Sequence, residues 1–83
     1  MTNQDASEAA ADQVRELRGQ IPDIDSELDL GRLEEGLRDS NVGLRQEYAD
    51  TYKGMIEGKL GSARGGNQPL RDILGAIQNL KFD

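Results

Sequence analysis

The sequence predicts an all-α protein: a small bundle or helical hairpin of three to four short helices, with a glycine-rich joint before the last. Three observations carry this prediction. Apolar residues recur on a 3.6-residue period, most plainly at the C-terminus, where Leu70, Ile73, Leu74, Ile77 and Leu80 form one stripe with Phe82 just beyond. No stretch alternates β-branched with polar residues, so strands are not expected. Proline, glycine and asparagine fall between the periodic segments, where helices start and stop.

Taken in order, Met1 to Gln4 reads as a flexible terminus. Asp5 or Ser7 can cap a first helix, and Glu8 favours its positive end. Ala10, Val14, Leu17 and Ile21 then follow at spacings of 4, 3 and 4, a short heptad-like seam. The alanine-rich start offers little apolar area, so fraying is expected there. Gly19 and Pro22 end this helix. Pro22 to Ser26 reads as a connector. Ser26 with Asp29 three residues on is a weak variant of the capping box and opens a second helix reaching about Asp39. Its stripe is Leu30, Leu33 and Leu37, with Leu28 near the edge. Glu34 and Arg38 are an i,i+4 pair, while Gly31 and Gly36 each weaken the helix by roughly 1 kcal/mol relative to alanine.

Asp39-Ser40-Asn41 is a break and a fresh cap; the alternative is one continuous rod through these residues. The third helix spans Asn41 to Leu60, with Leu44, Tyr48, Tyr52 (or Thr51), Met55, Ile56 and Leu60 along one side. Residues 61–67, GSARGGN, have the composition of a flexible linker. The final amphipathic helix covers 68–83, with Pro69 in its first turn and Arg71, Asp72, Gln78, Asn79 and Lys81 opposite the apolar stripe.

At 83 residues the chain is a single small domain, 1–83, and only 35% of it is hydrophobic, below the usual ~45–50%. The apolar mass is aliphatic, ten leucines and five isoleucines, with Tyr48, Tyr52 and Phe82 as the three aromatics. A core of this size rarely supplies more than about 3–5 kcal/mol. Cysteine and histidine are both absent, which removes disulfide staples and the usual zinc ligands. No cofactor is expected.

The net charge is −6, which argues against nucleic acid and anionic membrane as ligands. It is also uneven: residues 1–39 hold eleven acids and four bases (net −7), and residues 40–83 hold five acids and six bases (net +1). An acidic half would attract a basic partner. No apolar run approaches the ~20 residues that span a bilayer. No basic segment followed by an apolar one opens the chain, so a cytoplasmic location is the default. Secretion without a cleaved signal would leave no mark in the residues.

Several motifs come close to known chemistry and fall short. Asp23 to Glu34 places acids at positions 1, 3, 5 and 12 of a calcium loop, but Leu28 stands where that loop needs glycine and Gly31 supplies no side-chain oxygen at position 9. The loop before the last helix has glycines and Arg64 but lacks the Lys-Ser/Thr of a phosphate loop. Gly54 and Gly58 are a small-xxx-small pair that would admit a neighbouring helix at short distance, or simply loosen the third helix. Without histidine or cysteine no Ser/His/acid or Cys/His set exists, and the adjacent Glu34 and Glu35 carry no sign of acid–base work.

Leu44, Glu47 and Tyr48, followed by Ala76-Ile77-Gln78-Asn79 and Phe82, resemble the second helix of type III secretion needle subunits. That resemblance covers about ten residues of the second half. It implies a helical hairpin that polymerises through its C-terminal helix. That family turns at a proline-containing motif, and positions 38–43 here have none.

The functional expectation is therefore a non-catalytic acidic helical protein that docks on a protein partner, or on a second copy of itself, through its C-terminal stripe. The candidate partner-binding residues are Leu70, Ile73, Leu74, Ile77, Leu80 and Phe82, with Tyr48 and Tyr52 as aromatic anchors. The alternative is the structural subunit of a helical homopolymer. No catalytic or metal site is expected.

Overall fold

Thr2 opens the first helix. Its hydroxyl accepts the Asp5 N–H at 3.1 Å, and the Asp5 carboxylate accepts the Thr2 N–H at 3.3 Å. This is a reciprocal capping box. Asp5 is thus the partner of the cap, and Asn3 and Gln4 already lie in the first turn. Five helices follow one another in the computed structural model, which describes residues 2–62 and 67–82. They are α1 (Asn3–Arg18), α2 (Pro22–Leu28), α3 (Leu30–Leu37), α4 (Val42–Ser62) and α5 (Gln68–Gln78). No strand occurs among the described residues.

The expected count of three to four helices is corrected to five because residues 22–37 form two helices. The expected connector, Pro22 to Ser26, is itself helical. Proline in the first turn loses no hydrogen bond and pre-sets φ, so Pro22 starts α2 and Ser26 caps nothing. The break falls at Asp29, which adopts the left-handed conformation at φ 55° and ψ 53°. Aspartate tolerates this region better than most residues. The Tyr52 hydroxyl donates to the Asp29 carbonyl at 2.8 Å and ties the break to α4.

The expected break at 39–41 is present, and the continuous rod is not. Asp39 Oδ1 accepts the Asn41 N–H at 2.8 Å, and Asn41 Oδ1 accepts the Leu44 N–H at 3.1 Å. α4 runs two residues past Leu60, so Gly61 and Ser62 of the expected joint are helical; residues 63–66 of that joint lie outside the described residues. Asn67 caps α5 by accepting the Leu70 N–H at 3.2 Å. α5 stops at Gln78, short of the expected end at 83. Leu80 and Phe82 follow the helix and fold back onto the core, where Asn3 Nδ2 donates to the Lys81 carbonyl.

α3 and α5 each pack against both α1 and α4, while α1 and α4 touch each other only slightly. The order around the core is therefore α1, α3, α4, α5, with α2 outside the ring against α3. The Cα radius of gyration is 11.9 Å, close to the ~11.8 Å of a compact fold of 83 residues. Val14, Leu30, Leu33, Leu37, Ile56, Leu70 and Ile73 are fully buried. Ala10 and Ala11 are buried as well, so the alanine-rich start of α1 is a packing face and not a fraying end.

Charge ties the first three helices together. Arg18 Nε donates to Asp25 at 2.8 Å and Nη1 to Glu34 at 3.0 Å, linking α1, α2 and α3. Arg38 bridges Glu34 at 3.3 Å and Asp12 at 2.7 Å. The Glu34–Arg38 pair read from spacing is thus one link in a five-residue chain. Asp25, and to a lesser degree Glu34, raises the Arg18 pKa above its ordinary value against the opposing effect of burial.

The glycines that matter for packing are on α3. A Cβ at Gly36 would stand 2.7 Å from Tyr48 Cδ1 and closer still to Cγ and Cδ2. Gly54 and Gly58 on α4, the pair that suggested a close helix approach, face open space with nothing within 4 Å. Gly36→Ala should therefore lower stability by about 1–3 kcal/mol through overpacking, despite alanine's better helix propensity. Gly54→Ala should raise stability by up to about 1 kcal/mol. Urea titration of both variants, followed by circular dichroism, reads the two opposite signs.

Candidate interaction surface

α4 carries two mainly apolar stripes side by side, the first headed by a buried arginine. The first is Arg45, Ala49, Tyr52 and Ile56, all buried in the bundle. The second is Leu44, Tyr48, Thr51 and Met55, also spaced 4, 3 and 4 but turned about 100° from the first, one residue along the helix. Leu44 is 42% exposed and Met55 39%, and Tyr48 is half-buried. The single face expected for the third helix merged these two stripes. Leu44 and Met55 are not core.

Leu28 of α2 faces the second stripe. The resulting groove has a volume of about 570 Å³, and Glu27, Asp29, Arg32 and Glu47 stand among its lining residues. The Arg32 guanidinium lies beside the Tyr48 hydroxyl, the first cause of its raised pKa.

The C-terminal candidates lie within or against the chain's own core. Leu70 and Ile73 are fully buried and Ile77 is 3% exposed, all within the chain's own core. Leu74, Leu80 and Phe82 are half-buried and pack against that core. The stripe is spent on α1 and α4, the helices α5 packs against. A partner would reach Leu70, Ile73 and Ile77 only if α5 left the ring. Both tyrosines line the groove, but Tyr52 is 5% exposed and acts as a core residue, whereas Tyr48 is half-buried in the groove floor.

Two buried polar residues escaped the sequence reading. Ser7 is fully buried, and its hydroxyl donates to the Leu37 carbonyl at 2.6 Å. Arg45 is 3% exposed; it donates to the Asp39 carbonyl at 2.7 Å and to Asn3 Oδ1 at 2.6 Å, while its Nε has no partner. Both satisfy carbonyls at the end of α3, a need that no local pattern announces. Among the described residues no helix is long and apolar enough to cross a membrane. No group of three or more histidine, cysteine, aspartate or glutamate side chains there converges to hold a metal ion. Comparison with protein-family models, with curated proteins and with solved structures finds no match to this chain.

Ile73→Asp should unfold the whole monomer and not merely detach α5. Loss of the buried isoleucine alone costs about 2–5 kcal/mol, comparable to the ~3–5 kcal/mol a core of this size supplies. Far-UV circular dichroism at low concentration should show most of the helical signal gone. Retained ellipticity would mean that α5 is dispensable to the bundle.

Burial holds the Tyr52 hydroxyl above the ordinary tyrosine range, with the Asp29 carboxylate adding to the shift and Arg32 opposing it. The folded state keeps this proton more tightly than the unfolded chain. Its stabilisation is therefore complete below about pH 10 and is lost as pH rises through the folded value. Stability measured by urea titration should fall as pH climbs above that point. Tyr52→Phe should make the alkaline decline shallower.

Proposed function

We propose that the chain is a non-catalytic helical interaction protein, active in the cytoplasm, that binds a protein partner through the surface of its assembled bundle. The observation that supports this best is the second stripe of α4. Leu44 and Met55 stay exposed beside a half-buried tyrosine, although the chain has few apolar residues to place and buries most of the others. Exposed apolar groups gathered in a polar-rimmed groove are the usual character of a protein contact. The chain offers no reactive set of the histidine or cysteine kind, since it has neither residue.

The C-terminal stripe enters this reading as the element that closes the bundle. Only its half-buried members, Leu74, Leu80 and Phe82, are open to contribute contact area. A hetero-complex is favoured over a homopolymer. A ring of four helices with a fifth outside it departs from the two-helix hairpin that the needle-subunit resemblance implies, and a net charge of −6 per copy opposes stacking of copies.

In extracts of the organism that makes it, the immobilised protein should retain a partner that a Leu44→Asp/Met55→Asp variant releases while keeping its circular dichroism spectrum. Both positions are exposed, so the pair should cost about 1 kcal/mol of stability or less. Equal retention by both proteins would contradict the reading.

A further inference from the structure

We infer that the groove between α4 and the α2–α3 junction receives an amphipathic helix of a protein partner, with lysine or arginine flanking its apolar stripe. The inference rests on the interaction reading above and names the partner's chemistry. The apolar floor is Leu28, Leu44, Tyr48 and Met55. Leu44 and Met55 are eleven residues apart on one helix, so the floor runs about 16 Å, or three turns of a helix laid along it. That length suits anchors at i, i+3 or i+4, and i+7. Methionine and a half-buried tyrosine supply an adaptable, partly desolvated contact.

The rim decides the sign of the partner's charge. Glu27, Asp29 and Glu47 line the groove. A second hollow shares Asp29, Arg32 and Tyr48 with it and adds Glu35 and Asp39. With Glu27 set against its own cation, four carboxylates face one guanidinium, Arg32. The nearby Lys59 ammonium is already paired with Glu27 at 2.8 Å. A second copy would bring another −6 to this surface, and its own α5 stripe is committed to its core. Nucleic acid and anionic lipid would meet the same repulsion. A basic helix meets both features, burying its apolar side on the floor while its flanking cations reach the rim.

The test is titration of the intact protein with a designed Leu/Lys amphipathic helical peptide, read by fluorescence anisotropy and by amide chemical shifts. A scrambled peptide of the same composition and a Leu/Glu analogue are the controls. The Leu/Lys helix should bind at least about tenfold more tightly than the scrambled peptide, with the largest shifts at Leu28, Leu44, Tyr48 and Met55. Met55→Asp should weaken binding about tenfold although it adds a negative charge, and Glu35→Lys/Glu47→Lys should weaken it by a similar factor. Equal binding of the scrambled peptide, tighter binding to Met55→Asp, or equal binding of the Leu/Glu analogue would overturn the inference. The parent reading fails separately. A natural partner whose retention depends on Leu44 and Met55, but whose contact segment is acidic or non-helical, would sink the basic-helix inference and leave the interaction role standing.

Discussion

The ring of Tyr48 lies against the bare backbone of Gly36, and the rest of the bundle is arranged around that contact. It can form only where α3 presents no Cβ, because an added carbon would overlap the ring. α3 is eight residues long, too short to hold helical geometry by itself. α4 grips it at three points. Tyr52 donates to the Asp29 carbonyl where α3 begins, Tyr48 covers Gly36 along its side, and Arg45 donates to the Asp39 carbonyl just past its end. These residues lie on neighbouring turns of α4, in the order opposite to their contacts on α3, so the two helices run antiparallel. Ser7 of α1 adds the fourth hold at the Leu37 carbonyl. With its ends satisfied, α3 can bury Leu30, Leu33 and Leu37 completely. The cation of Arg45 also sits at the negative end of the α3 dipole, which offsets part of the cost of burying it without a carboxylate partner.

This grip has a consequence for the surface. α4 reaches α3 with Arg45, Tyr48 and Tyr52 and presents Ala49 and Ile56 to the core, so the residues just outside that arc, Leu44 and Met55, find no intramolecular cover. α2 approaches from the far side through Leu28 and stops short of closing over them. The groove is thus a by-product of how α3 is held, and its acidic rim follows from the acid-rich first half of the chain. Fold and candidate contact share the same residues. Tyr48 is at once the support of α3 and part of the groove floor.

What could be read in advance was whatever is encoded locally. The α3 leucines, the Asp39–Asn41 break, the start of α5 at Gln68 and the α5 stripe all follow from 3.6-residue spacing and cap chemistry within a few positions. The left-handed turn at Asp29 was hidden, because Asp-Leu-Gly reads equally well as continuous helix. The purpose of Gly36 was hidden for a different reason: the ring that requires it is twelve residues away, so the glycine looked like a weakness. The two stripes of α4 are adjacent around the helix and merged into one. Arg45 looked like a surface charge. Periodicity alone also cannot tell a stripe that closes the chain's own core from one that meets a partner, since both need the same pattern. The C-terminal stripe reads as contact or as core for that reason, and its burial becomes visible only once α1 and α4 are in place beside it.

The seating of Tyr48 on Gly36 can be observed directly in solution. Protons held against an aromatic ring experience its ring current, and they show cross-relaxation with the ring protons. In nuclear magnetic resonance spectra of the labelled chain, the Gly36 Hα protons should be displaced from ordinary helical glycine positions and should show Overhauser contacts to the Tyr48 ring. Both signals should vanish in Tyr48→Ala. Gly36 Hα shifts at ordinary values, with no contact to the Tyr48 ring in the folded protein, would contradict the arrangement of α3 and α4 on which the bundle and its groove depend.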